Sequence, residues 1–126
     1  MLAIVGIAVV VIVVSGWYMS RDTTGPIVSS TVPANAATDV AISGKIYAIF
    51  SEAMDPLTIK PATFTVTGPS GTPVVGTLDY ADVTAVFTPA SDLVPNTEYS
   101  CVITAGAKDL AGNQLASDYE WTFRTA

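Results

Sequence analysis

Apolar positions are arranged along this chain in two different ways. From Leu2 to Met19 they are continuous: Leu2-Ala-Ile-Val-Gly-Ile-Ala-Val-Val-Val-Ile-Val-Val-Ser-Gly-Trp-Tyr-Met19 contains no charged side chain, and the first charge is Arg21. Beyond it, short apolar stretches alternate with polar residues and are broken by Pro, Gly, Asn and Asp. The first pattern predicts a helix in lipid and the second predicts strands in water. Eighteen helical residues reach about 27 Å, close to the thickness of a bilayer core. Ten of the eighteen are Leu, Ile or Val. In water such a β-branched run favours strand, but in lipid every backbone N–H must be bonded within its own segment, so helix is expected. The anchor would be carried by Leu2, Ile4, Val5, Ile7, Val10, Ile12 and Val14, with Trp17 and Tyr18 at an interfacial aromatic belt. A cleaved signal peptide is the rival reading, and the absence of Lys or Arg before the apolar run argues against it. The expected organisation is a transmembrane helix over 1–20, a polar linker over 21–25 and one domain over 26–126.

In that domain the period of two is clear. Tyr119, Trp121 and Phe123 alternate with Glu120, Thr122 and Arg124, and Tyr99, Cys101 and Ile103 alternate with Ser100, Val102 and Thr104. Strands are predicted over Ile27–Thr31, Lys45–Phe50, Thr63–Thr67, Val74–Asp79, Thr84–Thr88, Glu98–Thr104 and Glu120–Thr125. The inward set adds Ile46, Ala48, Phe50, Phe64, Val66, Ala85 and Phe87. Seven short strands with turn residues between them predict an all-β antiparallel sandwich. The best short-helix signal is Asp55-Pro56-Leu57-Thr58, with Asp55 as N-cap and Pro56 at the first helical position.

Charge and composition narrow the chemistry. The net charge is −6, with eleven acids and five bases scattered singly. Such a surface suits neither nucleic acid nor anionic headgroups. There is no His and a single Cys, so neither an internal disulfide nor a Cys/His metal site can form. Glu52 and Asp55 are three apart in a turn with no evident pocket and no His in the chain, and no serine triad can be built without a base. No catalytic residue, cofactor or small-molecule substrate is expected. Asp109-Leu-Ala-Gly-Asn113 offers oxygen ligands for calcium together with Asp39, but it lacks EF-hand spacing, and turn chemistry explains Asp109 and Asn113 better.

Several spaced motifs resemble the bacterial immunoglobulin-like domains of surface-layer and envelope proteins. They are Asp22-Thr-Thr-Gly-Pro-Ile-Val-Ser-Ser-Thr-Val-Pro33, Asn35-Ala-Ala-Thr-Asp-Val40, Phe50-Ser-Glu-Ala-Met-Asp-Pro56, Phe87-Thr-Pro89, Leu93-Val-Pro-Asn-Thr-Glu-Tyr99, Asp109-Leu-Ala-Gly-Asn113 and Trp121-Thr-Phe123. The resemblance covers Asp22 to Thr125. It implies an extracytoplasmic immunoglobulin-like sandwich used as a spacer or interaction module. Tyr99 and Cys101 match the Tyr-x-Cys of strand F, and the residues before Tyr99 resemble a tyrosine corner. The partner cysteine is missing and residues such as Ala48 stand in its place, so Cys101 is expected to be a buried filler. One departure from the family pattern stands out. Outward positions that are commonly polar are here Tyr47, Ile49 and Val86, on strands that are neighbours in such a sheet. Scattered surface apolars are normal and one contiguous patch is an interface, so contiguity decides between the two.

The expected function is a non-catalytic, single-pass accessory subunit of a larger complex in the bacterial inner membrane, respiratory and photosynthetic assemblies among the candidate hosts. Its helix would pack among other transmembrane helices in the lipid bilayer, and its sandwich would brace the periplasmic face. A pilin-like filament subunit is the first alternative, weakened by the missing acidic residue near the start. An envelope carbohydrate- or ligand-binding module is the second, weakened by the inward position expected for Trp121.

Overall fold

The computed structural model describes residues 23–126. These form eight strands: β1 (Val28–Val32), β2 (Ala37–Val40), β3 (Ile46–Phe50), β4 (Phe64–Thr67), β5 (Gly76–Ala81), β6 (Thr84–Pro89), β7 (Glu98–Ile103) and β8 (Tyr119–Thr125). They make two four-stranded sheets, in the orders β1-β3-β6-β5 and β2-β8-β7-β4. Among the described residues no helix is long and apolar enough to cross a membrane. The anchor expected over 1–20, including Leu2, Ile4, Val5, Ile7, Val10, Ile12, Val14, Trp17 and Tyr18, lies outside the described residues.

Alternation explains why the sheets face each other. On β3, Ile46, Ala48 and Phe50 point inward and are buried, as are Ala85 and Phe87 on β6. The second sheet answers with Phe64 and Val66, with Tyr99, Cys101 and Ile103, and with Trp121 and Phe123, all buried. All four Phe of the chain are therefore in the core, each contributing about 1.5–3 kcal/mol by leaving water. Phe64 joins the layers: its ring stacks on Phe87 at 6.1 Å and meets Trp121 edge-on at 6.0 Å.

Three sequence expectations need correction. There are eight strands rather than seven, because Ala37–Val40 adds β2. That strand runs parallel to β8, so the sandwich is not wholly antiparallel. The strand expected over Val74–Asp79 lies two residues later, because β5 is set by its tight turn into β6: Ala81 pairs with Thr84, and Asp82 takes up φ 59° between them. Tyr119 faces inward as expected, half-buried at the start of β8 and packed against the core beside Trp121. The short-helix expectation corresponds to a single 3₁₀ turn, Pro56–Thr58, where the Asp55 Oδ1 accepts from the Leu57 N–H at 3.0 Å.

The two ends of the sandwich differ in what they hold. The chain enters beside Ser51, where the Ile27 N–H donates to Ser51 Oγ at 3.0 Å and the Ser51 N–H to the Ile27 carbonyl at 2.9 Å. Gly25 passes so close to the Gln114 carbonyl that a Cβ would stand 2.9 Å from it. This entry end is built from the β3–β4 connection, the β5–β6 turn and the β7–β8 connection. They are tied together: the Asp55 N–H donates to the Lys108 carbonyl at 2.8 Å and the Lys108 N–H to Thr58 Oγ1 at 3.0 Å. The far end holds the β1–β2 crossing between sheets, where the Val32–Pro33 peptide is cis, and the long connections into β5 and β7.

Candidate interaction surface

The outward positions of the two sheets have different chemistry. On the second sheet, Thr65 pairs with Val102 and Thr67 with Ser100, and these are followed across β8 by Glu120 and Thr122. Val102 is the single aliphatic in that field. On the first sheet Tyr47 stands directly opposite Val86, with Val32 on its other side across β1 and Asp79 beyond Val86 on β5. Directly opposed side chains on one face lie about 4.5–5.5 Å apart at Cβ, close enough to pack on one another. Ile49 sits two residues along β3, between Ser30 and Thr84. Tyr47, Ile49 and Val86 are each half-buried, and Val32 is 53% exposed. The stripe Val32–Tyr47–Val86, flanked by Ile49, is thus contiguous across three strands. Sequence reasoning named three of its members and missed Val32, which needs the β1–β3 register to be placed.

Asp109 is fully buried on the β7–β8 connection, and its carboxylate is occupied by its own loop. Oδ1 accepts from the Ala111 N–H at 2.9 Å and the Asn113 N–H at 2.8 Å, and Oδ2 from Asn113 Nδ2 at 3.0 Å. Gly112, at φ +92°, closes the turn. The structure brings Asp109 and Asn113 together but not Asp39, which is exposed on β2 at the far end, whereas Asp109 lies at the entry end. Among the described residues no three His, Cys, Asp or Glu side chains converge as a metal site.

Cys101 is completely buried on β7, and desolvation pushes its thiol up to about 12. Tyr99, two residues earlier, accepts the Val94 N–H on its hydroxyl at 2.9 Å, the geometry of a tyrosine corner. A second tyrosine was not legible. Tyr80, beyond the expected end of its strand, accepts the Met54 N–H at 2.7 Å and donates to the Asp82 carbonyl, linking β5 to the β3–β4 connection. Burial raises its pKa, the Asp82 charge adds to the rise, and the Met54 bond opposes both.

Glu52 is buried and Asp55 is engaged as a cap. A groove of about 380 Å³ opens between the β4 and β5 edges, lined by Phe64, Val66, Val74, Leu78 and Phe87, with no ionisable side chain in its wall. Trp121 is 1% exposed and belongs to the core.

Comparison with known proteins agrees with this architecture. The surface-layer protein SbsC shares 24% identity over 82% of this chain, with a TM-score of 0.59, and the chain spans only 14% of that structure's length. CopC from Methylosinus trichosporium OB3b superposes with a TM-score of 0.66 at 11% identity, over 79% of this chain and 92% of CopC. The alpha-2-macroglobulin of E. coli gives 0.60 at 19% identity, over 79% of this chain and 6% of that one. At these identities the likenesses speak for the fold alone. No curated protein sequence matches the chain. The bacterial Ig-like domain model matches residues 22–125, which is nearly the whole of the sandwich and its entry, and the chain belongs to the bacterial Ig-like domain family.

Proposed function

We propose that this chain is a non-catalytic accessory subunit of a larger membrane protein complex, held by residues 1–20 in the inner membrane with its sandwich on the periplasmic side. The observation that carries the reading is the one-sided apolar stripe of Val32, Tyr47 and Val86 with Ile49, set against a polar outer face on the other sheet. A patch of this kind, rimmed by Ser30, Lys45 and Asp79, suits a protein surface in a lasting contact. The uncharged run from Leu2 to Met19 supports the bilayer as the second partner. Likeness to a surface-layer protein is in keeping with a domain outside the cytoplasm.

Solubilising membranes in mild detergent and isolating a tagged form of this chain tests the proposal. Other subunits are expected to come with it at fixed stoichiometry, and Ile49→Lys is expected to release them. Recovery of the wild-type chain as a free monomer sinks the proposal.

A further inference from the structure

The entry end presents aliphatic side chains to solvent that the stripe does not account for. Leu57 is 83% exposed, Leu110 is 70% exposed and Ile27 is 61% exposed. Leu57 follows Asp55 in the 3₁₀ turn and Leu110 follows Asp109. The connections that carry them are fastened to each other through Met54, Asp55, Thr58 and Lys108. Two aliphatic tips are therefore held on a braced base, beside the point where the chain enters the sandwich.

We propose that this end rests on the bilayer surface, with Leu57 and Leu110 seated at the boundary between headgroups and acyl chains and Ile27 beside them. The inference rests on the anchor reading above and names a second surface that the sandwich touches. Its occupant follows from where the chain comes from. Seven residue steps separate Met19, the last residue of the apolar run, from Pro26, which is buried in the sandwich. Fully extended they span at most about 24 Å. A helix leaving the bilayer at Met19 would therefore hold Pro26, and the entry end it opens, within about 24 Å of the lipid surface. Side chains buried about 5–10 Å into the headgroup boundary are the usual depth for an interfacial contact. Exposed Lys60 and Lys108 flank the tips, while exposed Asp82 and Asp118 offset them, so apolar insertion rather than charge sets the contact. The far end supplies an internal comparison: Val75 and Val94, on the connections into β5 and β7, are 76% and 59% exposed there.

The test uses the full chain in phosphatidylcholine vesicles, with single cysteines introduced as L57C, L110C, V75C or V94C and labelled with an environment-sensitive fluorophore. Cys101 is fully buried, so the label goes to the introduced thiol. Labels at 57 and 110 are expected to shift to the blue, to lose most of their quenching by aqueous iodide and to gain quenching by a nitroxide-bearing lipid. Labels at 75 and 94 are expected to remain fully open to iodide. If the chain floats with the vesicles but all four labels are quenched alike by iodide, the contact is overturned while the anchor stands. If labels at 57 and 110 are shielded from iodide yet untouched by the nitroxide lipid, protein covers them and the contact is again overturned. A chain that does not float with the vesicles overturns anchor and contact together.

Discussion

Tyr99 and Cys101 sit two residues apart on one face of β7 and show what a single buried side chain contributes. The Tyr99 ring stacks on Phe123 at 5.8 Å, and its hydroxyl closes the Val94 amide. Tyr99→Phe keeps the stack and leaves that N–H without its partner, so a loss of about 1–2 kcal/mol is expected in denaturant unfolding. Cys101 leads to a pH prediction. Its thiol is held near 12 in the fold against an ordinary 9.0, so the folded state keeps a proton that the unfolded chain gives up. Stability is therefore fully present below pH 9 and falls as pH rises toward 12, at up to about 1.4 kcal/mol per pH unit. The raised pKa of Tyr80 adds a fall of the same sign above pH 10. Melting curves between pH 8 and 11 should show the decline beginning later in Cys101→Ala, and an unchanged onset would place the cause elsewhere. The burial of Cys101 was legible because it continues the alternation of Tyr99 and Ile103. The bond from Tyr80 was not, because its strand runs two residues past the expected end at Asp79.

At the scale of elements, what the sequence made legible depended on how much of a strand faces the core. β3, β7 and β8 each place two or three large apolar residues inward at alternate positions, and all three fall where the periodicity puts them. β2 gives no such signal. It is four residues long and lies at a sheet edge, with Thr38 and Asp39 exposed and Asp39 at φ 56°. It is held by the sheet it joins rather than by its own pattern: the Ala126 N–H donates to the Val40 carbonyl at 2.9 Å and the Ala36 N–H to the Thr122 carbonyl at 2.7 Å. The β7–β8 connection is the opposite case, a loop made definite by one side chain. With Asp109 replaced by Ala, three donors from Ala111 and Asn113 lose their acceptor inside the protein. A loss of at least about 2 kcal/mol is expected, with faster hydrogen exchange confined to the 105–118 segment. Adding calcium or a chelator should leave the wild-type melting temperature unchanged, since the Asp109 oxygens are already engaged by their own loop. A calcium-dependent rise would restore the metal reading.

At the scale of the whole sandwich, the two outer faces differ in chemistry, and that difference lies in tertiary register. Tyr47, Ile49 and Val86 are visible in the sequence as outward apolar residues, but their contiguity depends on β3 pairing with β6 so that Tyr47 meets Val86, and on β1 bringing Val32 alongside. The asymmetry supplies its own control. Val86 and Val102 are the same residue type, both half-buried and both outward on the inner strands of their sheets, yet one adjoins Tyr47 and the other adjoins Thr65 and Glu120. Lysine at either site can run its stem along the sheet and keep its ammonium in water, so Val86→Lys and Val102→Lys should each cost little stability, within about 1 kcal/mol. Retention in the detergent-solubilised complex should separate them. Val86→Lys sets a charge into the apolar stripe, where an interface would have to desolvate it, and should strip the chain from its partners. Val102→Lys adds one more polar group to an already polar face and should leave the complex whole. Equal retention of both variants, with both sandwiches folded, would mean that the stripe faces water and takes no part in the proposed contact.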